Sequence, residues 1–269
     1  MVKFPLYSTL SICFILLVCF FAGYVYSGNA YELNPEAILL APSFEFPLGT
    51  DRLGRDLLAR IIEGGKISLK IGLISSIITS LLGLIIGVSA GFFKGKTDKT
   101  IIVLIDLFLT FPTFFLLLAL ISYVNASVWV IIVVISITGW MSMARMIRSE
   151  SFAISNAPFI KILTIGKVNS LKIILKYFTP MLAPIFFISF TFGISGAILA
   201  ESGLSFLGIG INPPQISWGT ILSEGKEVID IAWWLSFFPG LMIFIVTYSL
   251  INISDYLQTK TDSKESQSE

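Results

Sequence analysis

No histidine occurs anywhere in the 269 residues. Its absence excludes histidine general acid–base chemistry, Ser-His-Asp triads and histidine-ligated metal centres in one step. Cysteine is scarce too. Cys13 and Cys19 both fall in the first apolar run, so they report nothing about redox compartment and leave zinc or iron–sulfur ligation without its ligands. Charged residues make up 13% of the chain, about half the roughly 25% of an average soluble domain. The 18 Lys and Arg nearly balance the 17 Asp and Glu, and a net charge of +1 leaves no basic face for nucleic acid. Apolar residues are what the chain has in abundance. With 55% hydrophobic residues and a mean hydropathy of +0.88, lipid is the solvent for most of it. The composition describes an all-α integral membrane protein that is not an enzyme by itself.

A spanning helix needs about 20 apolar residues, and six stretches meet that need: 4–26, 67–93, 100–123, 127–147, 180–200 and 231–253. The first is too long for a secretory h-region of about 7–15 residues and is expected to be a retained N-terminal anchor within residues 1–27. Residues 28–66 are polar, with Asn34-Pro35 and Ala41-Pro42 as turn signals, and read as an external loop. A transmembrane domain then covers 67–255, with tight turns at 94–99 and 124–126, a long basic segment at 148–179 and an acidic Gly/Pro-shaped loop at 201–230. Residues 256–269 read as a solvated, disordered cytoplasmic tail.

Placing the N-terminus in the cytoplasm collects Lys3, Lys94, Lys96, Lys99, Arg145, Arg148, Lys161, Lys167, Lys172, Lys176, Lys260 and Lys264 on the inner face, 12 of the 18 basic residues. Arg52, Arg55, Arg60, Lys66, Lys70 and Lys226 fall on the outer face and run against the rule. Both termini are expected in the cytoplasm.

Small residues recur every four positions at Ser75, Thr79, Gly83, Gly87 and Gly91, and again at Ser189, Gly193 and Ala197, a face that Glu201 continues. Such stripes let helices approach closely in lipid and describe a tight bundle. Gly91-Phe-Phe-Lys-Gly95-Lys96-Thr97 superficially resembles a phosphate-binding loop. It has three residues between its glycines instead of four, follows a membrane helix instead of a strand, and is rejected. Charges inside spans are costly and tend to have a role. Asp106 and Arg145 lie at compatible depths and are expected to form an ion pair, with a contact to cargo as the alternative. Glu201 closes the fifth span and is expected at the interface, and Trp129, Trp218, Trp233 and Trp234 read as an aromatic belt. The run from Phe159 to Gly166 is too short to cross a membrane. From its chemistry alone it either lies flat in the headgroups or docks into a groove on a partner.

These residues resemble a known family. The run PLGTDRLGRD at 47–56, followed by Arg60, Gly64, Ser68, Leu69 and Gly72, is similar to the segment before the second helix in the C-type permease subunit of dipeptide, oligopeptide and nickel ABC importers. Asp98, Asp106 and Pro112 fit that subunit's third helix, and Trp140, Ala144, Arg145 and Arg148 its fourth. The strongest match runs from Glu201 to Gly219 through LSFLGIG and NPPQISWG, with Trp234, Pro239 and Gly240 after it. The resemblance extends from residue 47 to about 255.

The resemblance implies a type I importer permease of MetI-like architecture in a bacterial cytoplasmic membrane, with six helices. It implies as partners a second homologous permease, two cytoplasmic ATPases that hold ATP and magnesium, an extracytoplasmic binding protein, and membrane lipid; the chain itself carries no cofactor, metal or catalytic residue. It also makes the 148–179 segment the loop that couples to the ATPase, with Phe159, Ile160, Lys161, Ile162, Leu163, Gly166, Lys167 and Leu171 as its residues. The family reads E-A-A-x-x-x-G there. Lys161, Ile162, Leu163 and Lys167 replace those positions, so the matching ATPase cleft is expected to be acidic and wider, with a drifted subunit of weakened coupling as the alternative. The family's histidine before the PLGTD run is Phe46, and the signature around Asp255 is only partly kept. The expected function is the permease half of a peptide importer working by alternating access. Nickel or a metal chelate is the alternative cargo, although a chain without histidine offers bare nickel poor ligands. An ion-coupled carrier would need inverted repeats, broken helices and buried coupling carboxylates, and a membrane hydrolase a Ser-Lys or Asp-Asp pair; both rank far below.

Overall fold

A computed structural model describes residues 4–265; their regular structure is helical, with no strand beyond an isolated bridge between Thr50 and Asp56. The helices are α1 (Leu6–Phe21), α2 (Leu57–Phe93), α3 (Gly95–Leu109), α4 (Thr113–Ile121), α5 (Val128–Asn156), α6 (Pro158–Ile165), α7 (Ser170–Ile173), α8 (Thr179–Phe206), α9 (Trp218–Lys226) and α10 (Trp234–Glu265). A π-helical turn at Ile174–Phe178 joins α7 to α8.

Four helices are long and apolar enough to cross a membrane: α2, α5, the continuous Ser170–Phe206 run and α10. α3 and α4 pass the same test only together, as a pair bent by 79° that is either a broken span or a re-entrant loop. Pro112 explains the bend, since it lacks an N–H and pushes the preceding residue out of helical geometry. The straight span expected over 100–123 is therefore bent. α1 has 16 residues, about 24 Å of helix against a hydrocarbon core of about 30 Å. A 3-10 turn at Ala22–Tyr24 prolongs it.

Several boundaries differ from expectation for local reasons. α2 starts at Leu57, inside the segment read as a loop to residue 66, because Asp56 caps it: Oδ1 accepts from the N–H groups of Leu58 (2.9 Å) and Ala59 (3.4 Å). The polar residues that disguised this turn are paired, Lys66 with Glu63 at 2.6 Å, for example. α5 continues past Ile147 to Asn156, and α8 past Ala200 to Phe206. The tail expected to be disordered after Ser254 is helical to Glu265; Lys3 and residues 266–269 lie outside the described residues.

Packing follows the small-residue stripes. Ser75, Thr79, Gly83, Gly87 and Gly91 all face α5. A Cβ added at Gly87 would lie 2.7 Å from the Ala144 carbonyl oxygen and 2.8 Å from the Ile147 side chain, so the two helices touch backbone to backbone. On its other side α2 meets α8, where Ser76 Oγ donates to the Phe190 carbonyl at 2.6 Å and Gly193 sits opposite Ser76. α10 closes against α8 through Ser254 Oγ and the Ile188 carbonyl (2.9 Å), and α1 lies on α10 through Asn252 and Ser8 (3.3 Å). Ser76 and Ser254 donate to carbonyls of a neighbouring helix, and Ser8 accepts from the Asn252 amide, as buried polar groups in an apolar bundle favour.

Candidate functional site

Three groups of residues stand out, one at each end of the bundle and one between. At the α5–α8 end, the chain leaves α5 at Asn156 and turns into α6 with Pro158 at its first position. Ile160 is buried with Ile147, Phe178 and Leu182, and Leu163 packs partly against the same cluster. Their i, i+3 spacing anchors one face of α6. The opposite face carries Phe159, Ile162 and Ile165, the last two 68% and 82% exposed. Of the bulky pair expected to face a partner, only Ile162 is exposed; Leu163 turns inward. Lys161, Lys167, Leu171, Lys172 and Lys176 are exposed beside this face. Gly166 and Lys167 close α6. The Lys167 N–H bonds the Thr164 carbonyl (3.1 Å) and the Val168 N–H the Leu163 carbonyl (3.1 Å), with Lys167 at φ +54°. This is the Schellman turn, whose left-handed position favours glycine. A cavity of about 940 Å³ opens between Phe92 and Lys94 at the end of α2 and Lys161, Thr164 and Ser170.

Two ion pairs join α3 to α5, one from the first turn of α3 and one from Asp106 further along it. Arg145 pairs with Asp106, bringing together the two residues matched for depth. Arg148 grips Asp98 with two parallel hydrogen bonds, that from Nη2 being 2.8 Å long. This second pair was not anticipated. Asp98 and Arg148 were both in view as separate helix residues, and only the close approach of α3 and α5 joins them.

At the far end, Glu201 is fully buried and not interfacial. It accepts from Ser217 Oγ (2.6 Å), Ser205 Oγ (2.7 Å) and Ser68 Oγ (3.4 Å), which come from the loop before α9, α8 and α2. The 201–230 stretch read as a loop thus carries the end of α8 and the whole of α9, and three of its acids, Glu201, Glu224 and Glu227, are paired. Glu224 takes Arg60 (2.9 Å) and Arg55 (3.2 Å), both of which also bind Asp51, and Glu227 takes Arg52. The basic residues that broke the charge rule all have partners, with Lys70 lying over the Trp129 ring at 4.9 Å and Lys226 bonding the Phe206 carbonyl at 2.7 Å. The expected aromatic belt also divides. Trp129 and Trp233 are exposed, but Trp218 and Trp234 are buried and donate their indole N–H groups to the carbonyls of Ile61 (2.9 Å) and Thr50 (3.1 Å). Nearby, Tyr26 donates to Asp56, and burial followed by this hydrogen bond raises its phenol above the ordinary range.

Among the described residues no group of three or more Cys, Asp or Glu could hold a metal ion. The arrangement offers an exposed apolar face with lysines at one end and a buried hydrogen-bonded carboxylate at the other.

Residues 83–264 match the family model for binding-protein-dependent transport system inner membrane components. The chain is 30% identical over 254 residues to the oligopeptide transport system permease protein OppC of Haemophilus influenzae, covering 94% of this chain and 81% of that protein. It is 33% identical over 226 residues to the dipeptide transport system permease protein DppC of Bacillus subtilis, covering 84% and 71%. It is 30% identical over 260 residues to the di/tripeptide permease protein DppC of Pseudomonas aeruginosa, covering 93% and 86%. Among solved structures, an inward-facing form of the MetNI methionine ABC transporter superposes with a TM-score of 0.61 at 16% identity, over 76% of this chain and 97% of that one. That likeness is one of fold alone.

Proposed function

The chain belongs to the family of binding-protein-dependent transport system inner membrane components, and from that premise we propose that it is one permease subunit of an ATP-driven importer of short peptides. The relatives that cover most of its length are named for oligopeptides, dipeptides and di/tripeptides, which favours peptide over nickel as cargo. In this proposal a second, homologous permease completes the pathway, an extracytoplasmic binding protein delivers cargo to the Glu201–Glu227 side, and two cytoplasmic ATPases dock at the other end. ATP and magnesium belong to those ATPases. Both termini lie in the cytoplasm, in keeping with the positive-inside count.

The α6 face is the main support. Phe159, Ile162 and Ile165 project from a short helix whose other side is pinned by Ile160 to the ends of α5 and α8. A partner pressing on such a helix moves the long spans that flank it, and two differently stabilised states are what alternating access requires. The cleft that receives α6 is apolar and acidic, because Lys161 and Lys167 surround the apolar stripe. A broken helix pair also suits an ion-gradient carrier, but family membership weighs against that class.

The test is uptake of a labelled dipeptide by proteoliposomes holding the whole complex. Uptake that needs ATP, the binding protein and both permeases is expected. Uptake driven by an ion gradient with the ATPases omitted would overturn the proposal.

A further inference from the structure

The two α3–α5 ion pairs differ in their surroundings. Asp98 and Arg148 are sheltered, with side chains 15% and 26% exposed. Asp106 and Arg145 are 60% and 49% exposed, although Asp106 lies in the apolar, bent α3–α4 pair and Arg145 in α5, a helix long and apolar enough to cross a membrane. Asp106 stands about 17 Å along α3 from Gly95, among the apolar residues Leu104, Ile105, Leu107 and Phe108. Acyl chains do not accommodate an exposed carboxylate and guanidinium within an apolar span. The side of the bundle that carries this pair therefore turns away from lipid.

Two independent features mark the same side. The α3–α4 pair breaks at residues 110–112, directly after Asp106, and these residues are exposed. Irregular backbone at membrane depth persists only where it is buried in protein or lines a water-filled cavity. On α5 the exposed residues are apolar through the first turns, at Trp129, Val133 and Ile137, then polar at Ser142, one turn from Arg145.

We propose that Asp106, Arg145, Ser142 and the break at 110–112 form a wall of the water-filled translocation pathway. The ion pair there presents both signs of charge to a passing zwitterion, the carboxylate facing its ammonium group and the guanidinium its carboxylate. This rests on the importer function proposed above.

The experiment uses the assembled complex with Cys13 and Cys19 replaced by serine and one new cysteine, Ser142→Cys or the control Ile137→Cys. Each is exposed to a charged, membrane-impermeant methanethiosulfonate applied to both faces. Ser142→Cys is expected to react at least tenfold faster than Ile137→Cys, with a severalfold change when vanadate traps the ATPases closed. Equal, slow reaction of both in a complex that still imports dipeptide overturns the pathway wall and leaves the importer standing. A complex with wild-type cysteines that fails to import overturns the function beneath it instead. Contact with cargo is read separately: Asp106→Asn/Arg145→Gln is expected to lose at least fivefold in dipeptide import, whereas import within twofold of wild type removes the pair from the cargo's path.

Discussion

Ser217 Oγ donates a 2.6 Å hydrogen bond to Glu201 Oε1, and this bond fixes the start of α9 to the end of α8. Ser217 is also the N-cap of α9: its Oγ accepts from the Thr220 N–H while Thr220 Oγ1 accepts from the Ser217 N–H. One buried carboxylate thus organises this end of the bundle, because Ser205 and Ser68 donate to it as well. Glu201→Ala strands three buried hydroxyls and is expected to lower the stability of the complex by about 3 kcal/mol. Glu201→Gln keeps an acceptor oxygen and is expected to lose less than half of that. Thermal unfolding of the two variants in detergent checks the order.

The backbone contact between α2 and α5 makes a sharper prediction. Gly87→Ala forces a methyl group against the Ala144 carbonyl and Ile147, and is expected to cost about 1–3 kcal/mol. Gly196→Ala, on α8, meets nothing within 4 Å. It is expected to be neutral or to stabilise by up to about 1 kcal/mol through helix propensity. Opposite shifts in melting temperature for the two glycines are the expected result.

Lys167 occupies a left-handed position with φ +54° at the end of α6. An L-residue there costs about 1–2 kcal/mol, so Lys167→Gly is expected to tighten the turn. Amide hydrogen exchange at Val168 would slow by about fivefold, the equivalent of about 1 kcal/mol. Faster exchange would show that the lysine side chain holds the turn by contacts of its own.

These details separate what the sequence carried from what only folding creates. Asp106 and Arg145 were legible as a pair because a charge in an apolar run demands a partner at its own depth. The stripe from Ser75 to Gly91 was legible from its four-residue repeat. Glu201 was misjudged because its acceptor role depends on Ser68 and Ser217, which reach it from distant stretches of chain, and no local pattern announces such convergence. Trp218 and Trp234 were assigned to a belt for a similar reason, since their indole partners, Ile61 and Thr50, are backbone carbonyls invisible to sequence. The start of α2 was missed because Arg60, Glu63 and Lys66 look like loop residues until their pairing is seen. Pro112 was visible, and its effect on the third span was underweighted.

The Tyr26–Asp56 hydrogen bond gives a pH dependence with a definite sign. Burial, then the hydrogen bond, raises the phenol, so the folded state keeps its proton where the unfolded chain has lost it. The contribution is complete below the unfolded tyrosine value of about 10 and fades as pH rises through the higher folded value. Tyr26→Phe is expected to lower stability by about 1 kcal/mol at neutral pH. It should also make alkaline unfolding less steep above about pH 10.

The α6 face bears most directly on the central claim, that this chain is a permease worked by an ATPase through one short helix. In proteoliposomes of the full complex, wild type is compared with Ile162→Asp/Ile165→Asp and with Lys161→Glu. Both variants are expected to lose dipeptide uptake and binding-protein-stimulated ATP hydrolysis together, because both alter the exposed face and leave the Ile160 anchor intact. Uptake that survives in both variants, and that continues when the ATPases are left out, would contradict the account.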